Sequence, residues 1–132
     1  MSVTRIAISL DPELRKKLEA RMSEGVYHNR SKAISDILRE SFLKDEVMAG
    51  KGIRIGTISI VYNHHMRGVL DRITGIQHRY DAVVIAAMHV HLSHDTCLEV
   101  ITTRGDAGEI QKIAGAISSV RGVTNCRLSF VG

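Results

Sequence analysis

The chain has 132 residues, 44% of them apolar, and its 18 Lys and Arg against 14 Asp and Glu leave a mild positive surplus that makes no case for nucleic acid by itself. That length allows one ordinary domain or two very small ones, and the longest apolar run, Ala82 to Met88, falls far short of the roughly 20 residues of a membrane helix. Arg5 and Asp11 bracket too short a stretch for a secretory leader, and two cysteines 29 positions apart make no disulfide framework, so a reducing, cytoplasmic setting is expected.

Residues 5–10 alternate, with Ile6, Ile8 and Leu10 on one side of a short strand and Arg5, Ala7 and Ser9 on the other. Asp11-Pro12 then predicts a helix start, Asp as N-cap and the chain's single proline at the first helical position. Leu14, Leu18 and Met22 form the apolar stripe, and Gly25 ends the helix. Asn29 or Ser31 caps a second helix whose apolar face reads Ala33, Ile34, Ile37, Leu38 and Phe42. Residues 1–46 therefore read as strand–helix–helix, too small a unit to bury its own strand. Two such strands paired antiparallel in a dimer would satisfy both the ladder and the apolar face.

Residues 47–52, with Gly50 and Gly52, read as a linker. Beyond it, residues 53–132 read as a second domain. Ile53–Tyr62 is strand-like, and His64 to Gln77 carries helical spacing through Val69, Leu70, Ile73 and Ile76. Ala82–Leu92 and Cys97–Thr103 follow as strands. Asp106 with Glu109 opens a helix running to about Val120, Gly122 is its C-cap, and Val123–Val131 closes as a strand. The order is βαββαβ, a ferredoxin-like arrangement, and the whole chain is α+β.

Histidine is clustered. Six of the seven lie between His64 and His94, with Cys97 three residues beyond. His89 and His91 share one side of a strand, and Ser93-His94-Asp95 makes the turn that returns Cys97 on the antiparallel neighbour. His78, at the end of a helix, is the natural fourth candidate ligand, and Glu99, with Gln77 beside His78, can orient ligands from outside the coordination. Structural zinc would more usually show C-x2-C pairs, whereas three imidazoles and a thiolate in a plane suit Ni(II) or Cu(II). Cys126 alternates into the last strand as a packed residue; His64 and His65 start a surface helix, His94 serves the turn, and the sequence names no partner for His28.

No glycine-rich phosphate loop, G-x-S-x-G or carboxylate pair is present, so an enzyme is not expected. A thiol enzyme built on Cys97 and a nearby histidine is the residual catalytic reading.

These motifs carry a resemblance. Residues 5–46, with Arg5-Ile-Ala-Ile-Ser9 and Asn29-Arg30-Ser31, resemble ribbon–helix–helix DNA-binding domains. Residues 53–131, with Gln77-His78, His89-Val-His91-Leu-Ser-His94-Asp-Thr-Cys97-Leu-Glu99 and Arg104-Gly-Asp106, resemble the ACT-like regulatory domain of the nickel-responsive repressor family, NikR. The resemblance implies a homotetramer, a dimer of dimers, with one square-planar Ni(II) per chain held by His89, His91 and Cys97 and by His78 of the neighbour. It also implies that the helix ending at His78 becomes ordered with the metal, and that nickel sufficiency represses nickel-uptake genes.

At the other end, a two-stranded ribbon fits the major groove of operator DNA, presenting Arg5, Ala7 and Ser9 to base edges. Asn29, Arg30 and Ser31, at the start of the second helix, suit a phosphate. Two departures from the family stand out. Ala7 replaces a usual hydroxyl residue, which predicts an altered operator sequence. Lys32 replaces a usual acidic residue next to Asp36, where relatives bind a monovalent or other hard cation between their domains; the Lys32 ammonium is expected to stand in for it. Two other readings use the same residues: a regulator answering to copper, cobalt or zinc, and a metal-binding ACT-like protein without specific DNA binding.

Overall fold

The computed structural model describes residues 2–25 and 29–132, so His28 lies outside the described residues. The chain divides into two compact units, with the boundary between Phe42 and Leu43.

In the first unit, α1 spans Pro12–Glu24 and α2 spans Arg30–Met48. Asp11 caps α1 as its sequence predicts, its carboxylate accepting from Leu14 N at 2.8 Å with Pro12 following. Of the two cap candidates for α2 the structure selects Asn29, whose Oδ1 accepts from Lys32 N at 2.8 Å. Residues 2–11 carry neither helix nor strand, so the ribbon expected over Arg5–Leu10 is not formed in the single chain. A strand exists only through a ladder partner, and one copy of this segment has none. Among its described residues the unit correspondingly lacks a core. No residue of α1 is buried and only Ala33 of α2 is, while Ile6, Ile8, Leu14, Leu38 and Phe42 are all exposed.

The second unit begins within α2, which continues through Met48, and the chain then turns through Gly50 and Gly52, both at positive φ (65° and 86°). Four strands follow with two helices between them: β1 (Ile53–Asn63), α3 (Val69–Arg79), β2 (Val84–His91), β3 (Thr96–Asp106), α4 (Ala107–Ser118) and β4 (Val123–Phe130). They build a four-stranded sheet in the order β2-β3-β1-β4, every neighbouring pair antiparallel. This is the βαββαβ order that the spacing predicts. The core lies on one face of the sheet, where Ile58 and Ile60 of β1 and Ile101 of β3 meet Val69 and Ile73 of α3 and Ile110, Ile113 and Ile117 of α4. Asp106 caps α4 by accepting from Glu109 N.

Several element boundaries differ from their sequence reading, among them the following. α3 begins at Val69, not at His64, because residues 64–68 are held as turns: Met66 N bonds Asn63 O, and His64 N bonds Asp95 O at 3.1 Å. β2 begins at Val84, since Val83 N and Val84 N both donate to Tyr80 O in the preceding turn. α4 ends at Ser118 with Ser119 as its cap, and Gly122 instead makes the turn into β4 at φ 104°. A Cβ on Gly122 would stand 3.0 Å from both Met66 Sδ and Val69 Cγ2, so sterics as well as the backbone favour glycine there.

Ile113 has no solvent exposure. Ile113→Ala is expected to lower unfolding free energy by about 2–5 kcal/mol in urea titration. Asp106→Ala, which removes only a cap, should cost about 1 kcal/mol.

Candidate metal centre

The antiparallel register of β2 on β3 builds the site. It places His91 opposite Cys97 and His89 opposite Glu99, while β1 on β3 places Tyr62 opposite Cys97. Because opposite residues in a ladder share a face, all five side chains stand on the helix-covered side of the sheet. The connection is short, with Leu92 N and Ser93 N both donating to Thr96 O. Cys97 is 3% exposed, and its Sγ lies 3.8 Å from His91 Nδ1.

His89 sits on the open edge strand, its side chain 51% exposed, but one ring nitrogen is committed. Nδ1 is 2.9 Å from Oε1 of Glu99, a fully buried carboxylate, and 3.3 Å from the Tyr62 hydroxyl. Carrying its proton on Nδ1 toward that carboxylate leaves Nε2 as the free donor, the arrangement typical of a metal-ligating imidazole. Glu99 is held in turn by Gln77, whose Nε2 donates to Oε2, and by Tyr62, whose hydroxyl donates to Oε1 at 3.4 Å. Burial pushes the Tyr62 phenol above its ordinary pKa, and the Glu99 carboxylate adds to that shift. Tyr62 therefore stays protonated, a donor to Glu99 throughout the neutral range. Glu99 thus contacts both His89 and Gln77; Tyr62 was not among the residues read.

The donors that one chain gathers differ from the set read in the sequence. His91 and Cys97 group with His64, ligand atoms of all three lying within 4.8 Å of one another. His89 and His78 fall outside that group, and His78 is exposed in the last turn of α3. His64 is thus a residue that its sequence neighbourhood hid, read as the start of a surface helix but standing in a turn beside the site. A second group, His65, His94 and Asp95, is wholly exposed, with His65 Nε2 3.0 Å from His94 O and 3.4 Å from Asp95 Oδ1. Cys126 packs in β4, its Sγ donating to Ala114 O at 3.6 Å and burial pushing its thiol pKa up. These donors fit a borderline transition-metal ion: imidazole and thiolate groups, a buried sulfur, and a buried His64 Nδ1 without a hydrogen-bond partner.

Among the residues read as DNA contacts, Arg5, Ala7, Ser9, Asn29, Arg30 and Ser31 are all exposed. Arg30 reaches Glu19 Oε1 at 2.7 Å, and that contact holds the Glu19 carboxyl below its ordinary pKa. Lys32 Nζ donates to Asp36 Oδ1 at 2.8 Å, and Arg39 Nη1 reaches the same oxygen at 3.2 Å. No helix among the described residues is long and apolar enough to cross a membrane.

The family described as the NikR C terminal nickel binding domain matches residues 55–131. Relatives named "putative nickel-responsive regulator" match almost the whole chain. That of Methanococcus maripaludis strain S2 is 38% identical over 98% of this chain and 92% of its own length. That of Methanocaldococcus jannaschii is 40% identical over 95% and 89% respectively, and that of Trichlorobacter lovleyi 38% over 96% and 91%. Among solved structures, an uncharacterized protein of Thermotoga maritima matches 61% of this chain and all of its own, with TM-score 0.56 and 11% identity. The ACT domain of a GTP pyrophosphokinase from Chlorobium tepidum matches 59% of this chain and all of its own, with TM-score 0.52 and 14% identity. Those two likenesses make the second unit ACT-like in fold. The names of the family and of the relatives indicate a regulator, not an enzyme.

Glu99→Gln is expected to weaken Ni(II) binding about 10–100-fold in chelator competition, because the charge that fixes the His89 tautomer is lost. Unchanged affinity would remove Glu99 from the site.

Proposed function

This chain belongs to the nickel-responsive regulator (NikR) family, and from that premise we propose that it is a nickel-dependent, sequence-specific DNA-binding repressor of nickel-uptake genes, acting in the cytoplasm. The observation that carries the reading is the hairpin register, which sets His91 against Cys97 and His89 against a buried Glu99. In this reading His89, His91 and Cys97 hold one Ni(II) per chain in a square-planar set completed by His78 of a neighbouring copy. The bound ion supplies a fixed point that joins two chains. His89 offers Nε2 because Glu99 takes Nδ1, and Cys97 contributes as the thiolate.

The reading assigns residues 1–46 to a ribbon–helix–helix domain, 47–52 to a linker and 53–132 to the metal-binding and tetramerisation domain. Support for the dimeric ribbon comes from what the first unit lacks alone: a ladder for Arg5–Leu10 and a cover for Ile6, Ile8 and Phe42, which are 77%, 52% and 61% exposed. Pairing two copies supplies both and turns Arg5, Ala7 and Ser9 toward the major groove of the operator. Arg5 donates to a guanine edge, Ala7 offers a methyl contact to thymine, and Ser9 donates or accepts. Asn29, Arg30 and Ser31 hold the phosphate backbone.

Two dimers joined in a tetramer respond to metal only if nickel binds more tightly to the arrangement in which both ribbons reach one operator. Beside Asp36, Lys32 stands in for the hard cation of relatives, a reading supported by its 2.8 Å contact with that carboxylate.

Titrating metal-free protein with Ni(II) is expected to give a stoichiometric thiolate charge-transfer band and a diamagnetic site, both lost in Cys97→Ala. A paramagnetic octahedral site would overturn the nickel assignment. Arg5→Ala should lose operator binding, about 1–3 kcal/mol for each guanine contact, while retaining metal. Operator affinity should be equal in potassium and potassium-free buffer, and a loss restored by potassium would defeat the Lys32 substitution.

A further inference from the structure

Residues 47–52 read in sequence as a linker, yet the structure bonds both ends of this stretch to the second unit. The last turn of α2 already lies beyond the unit boundary, which falls between Phe42 and Leu43. A helix leaves its final carbonyls without partners, and here they are taken up. Glu46 O accepts from Lys51 N at 3.2 Å, and Val47 O accepts from Gly50 N at 2.9 Å and from Gln111 Nε2 of α4 at 2.7 Å. Gly52 O accepts in turn from Ala107 N, at the start of α4, at 2.9 Å. Between those bonds the two backbones nearly touch: a Cβ on Gly108 would stand 3.3 Å from Gly50 O.

Arg54 closes the arrangement from β1. Its guanidinium lies over Gly52 and pairs with Glu46 in the last turn of α2. The Arg54 side chain is 21% exposed, and its Nε is buried without a hydrogen-bond partner. A cation so withdrawn from water needs its counter-charge, which Glu46 supplies. The same strand that carries Arg54 near its start carries Tyr62 near its end, opposite Cys97. α2 is therefore mounted on the strand that borders the metal centre. A flexible tether would let nickel fix the assembly without fixing the direction in which α2 leaves it, whereas a bonded joint transmits that direction. We propose that residues 43–54 form a fixed joint of the metal-binding domain, and that Arg54 and Gln111 are positioning residues through which nickel occupancy governs α2. This inference rests on the reading of the chain as a nickel-dependent, operator-binding regulator.

The test uses the full-length protein and two readouts. Amide hydrogen exchange over residues 47–52 reports the joint itself and needs neither metal nor DNA. Those amides should be protected in the unaltered protein and lose protection in Gln111→Glu and in Arg54→Met. Gln111→Glu keeps the size of the side chain but cannot donate to the Val47 carbonyl. The second readout is the ratio of DNA affinities with and without Ni(II), on a site selected by the Ni(II)-loaded protein from a random-sequence pool. Each variant should lower that ratio by about 2–30-fold, the range over which residues on a coupling route act. Ni(II) affinity without DNA should be unchanged, which also shows that the variants fold. Glu46→Arg and Arg54→Glu should each lose the ratio alone and restore it together. Full exchange of residues 47–52 in the unaltered protein would overturn the joint, and a ratio unchanged in both Gln111→Glu and Arg54→Met would overturn the coupling. DNA binding by the unaltered protein that ignores Ni(II) would instead sink the regulator reading and the coupling role with it, and the exchange data would still decide the joint.

Discussion

The pairing of β2 with β3 is the constraint on which the site depends. Side chains alternate along a strand, so a slip of one residue would carry His89 and His91 to the opposite face from Cys97 and Glu99. The register is pinned from two directions. On one side the Leu92–Asp95 connection closes with two bonds to Thr96 O. On the other, β3 is locked to β1 over eleven residue pairs, with Ile58 and Ile101 opposite each other in the core. The hydrophobic face of the sheet thus specifies the position of the sulfur, and the sulfur's strand specifies the imidazoles.

Within that frame Glu99 is the expensive residue. A carboxylate with no solvent exposure is tolerable only when its oxygens are satisfied, and three donors converge on it. They come from different elements: His89 from β2, Tyr62 from β1 and Gln77 from α3. His89 and Gln77 therefore share one carboxylate, and Gln77 immediately precedes His78 in the last turn of α3. The buried carboxylate thus connects the edge strand with the helix. Its cost is consistent with a role beyond stability, since an apolar residue in the same place would fill the space without desolvating a charge.

Much of this was legible in the sequence, for identifiable reasons. The strand-like run over Ile53–Tyr62, the Asp11 and Asp106 caps and the helical spacing around Ile73 are local signals, and each marks an element that forms. Cys97 facing His91 was legible because a short turn between two strands determines the pairing. The misses are equally physical. The ribbon over Arg5–Leu10 reads as a strand, yet one chain contains no partner for it. His64 was read by its local neighbourhood, where two histidines precede a helical pattern. Its actual position follows from tertiary pairing, since Asn63 lies opposite Thr96 and one further step brings His64 to Asp95. The β1–β3 ladder, which the sequence reading did not assign, is what carries it there. Tyr62 was missed because a buried phenol in a strand looks like packing until its hydroxyl is seen to reach a carboxylate.

That the histidines stand on an edge strand has its own consequence. A strand inside the sheet would bury His89 beneath the helices, where no second chain could reach it; on β2 its side chain is half exposed while Glu99 behind it is sealed. Exposed edges invite pairing with other chains and are usually blunted by charge or proline, but β2 presents Ile85 and Met88, 60% and 59% exposed, with no proline or charged residue along Val84–His91 other than the titratable histidines. The edge thus combines an apolar surface suited to another copy with imidazoles that suit a shared ion. On the proposed assembly, metal binding and subunit contact would be parts of one equilibrium.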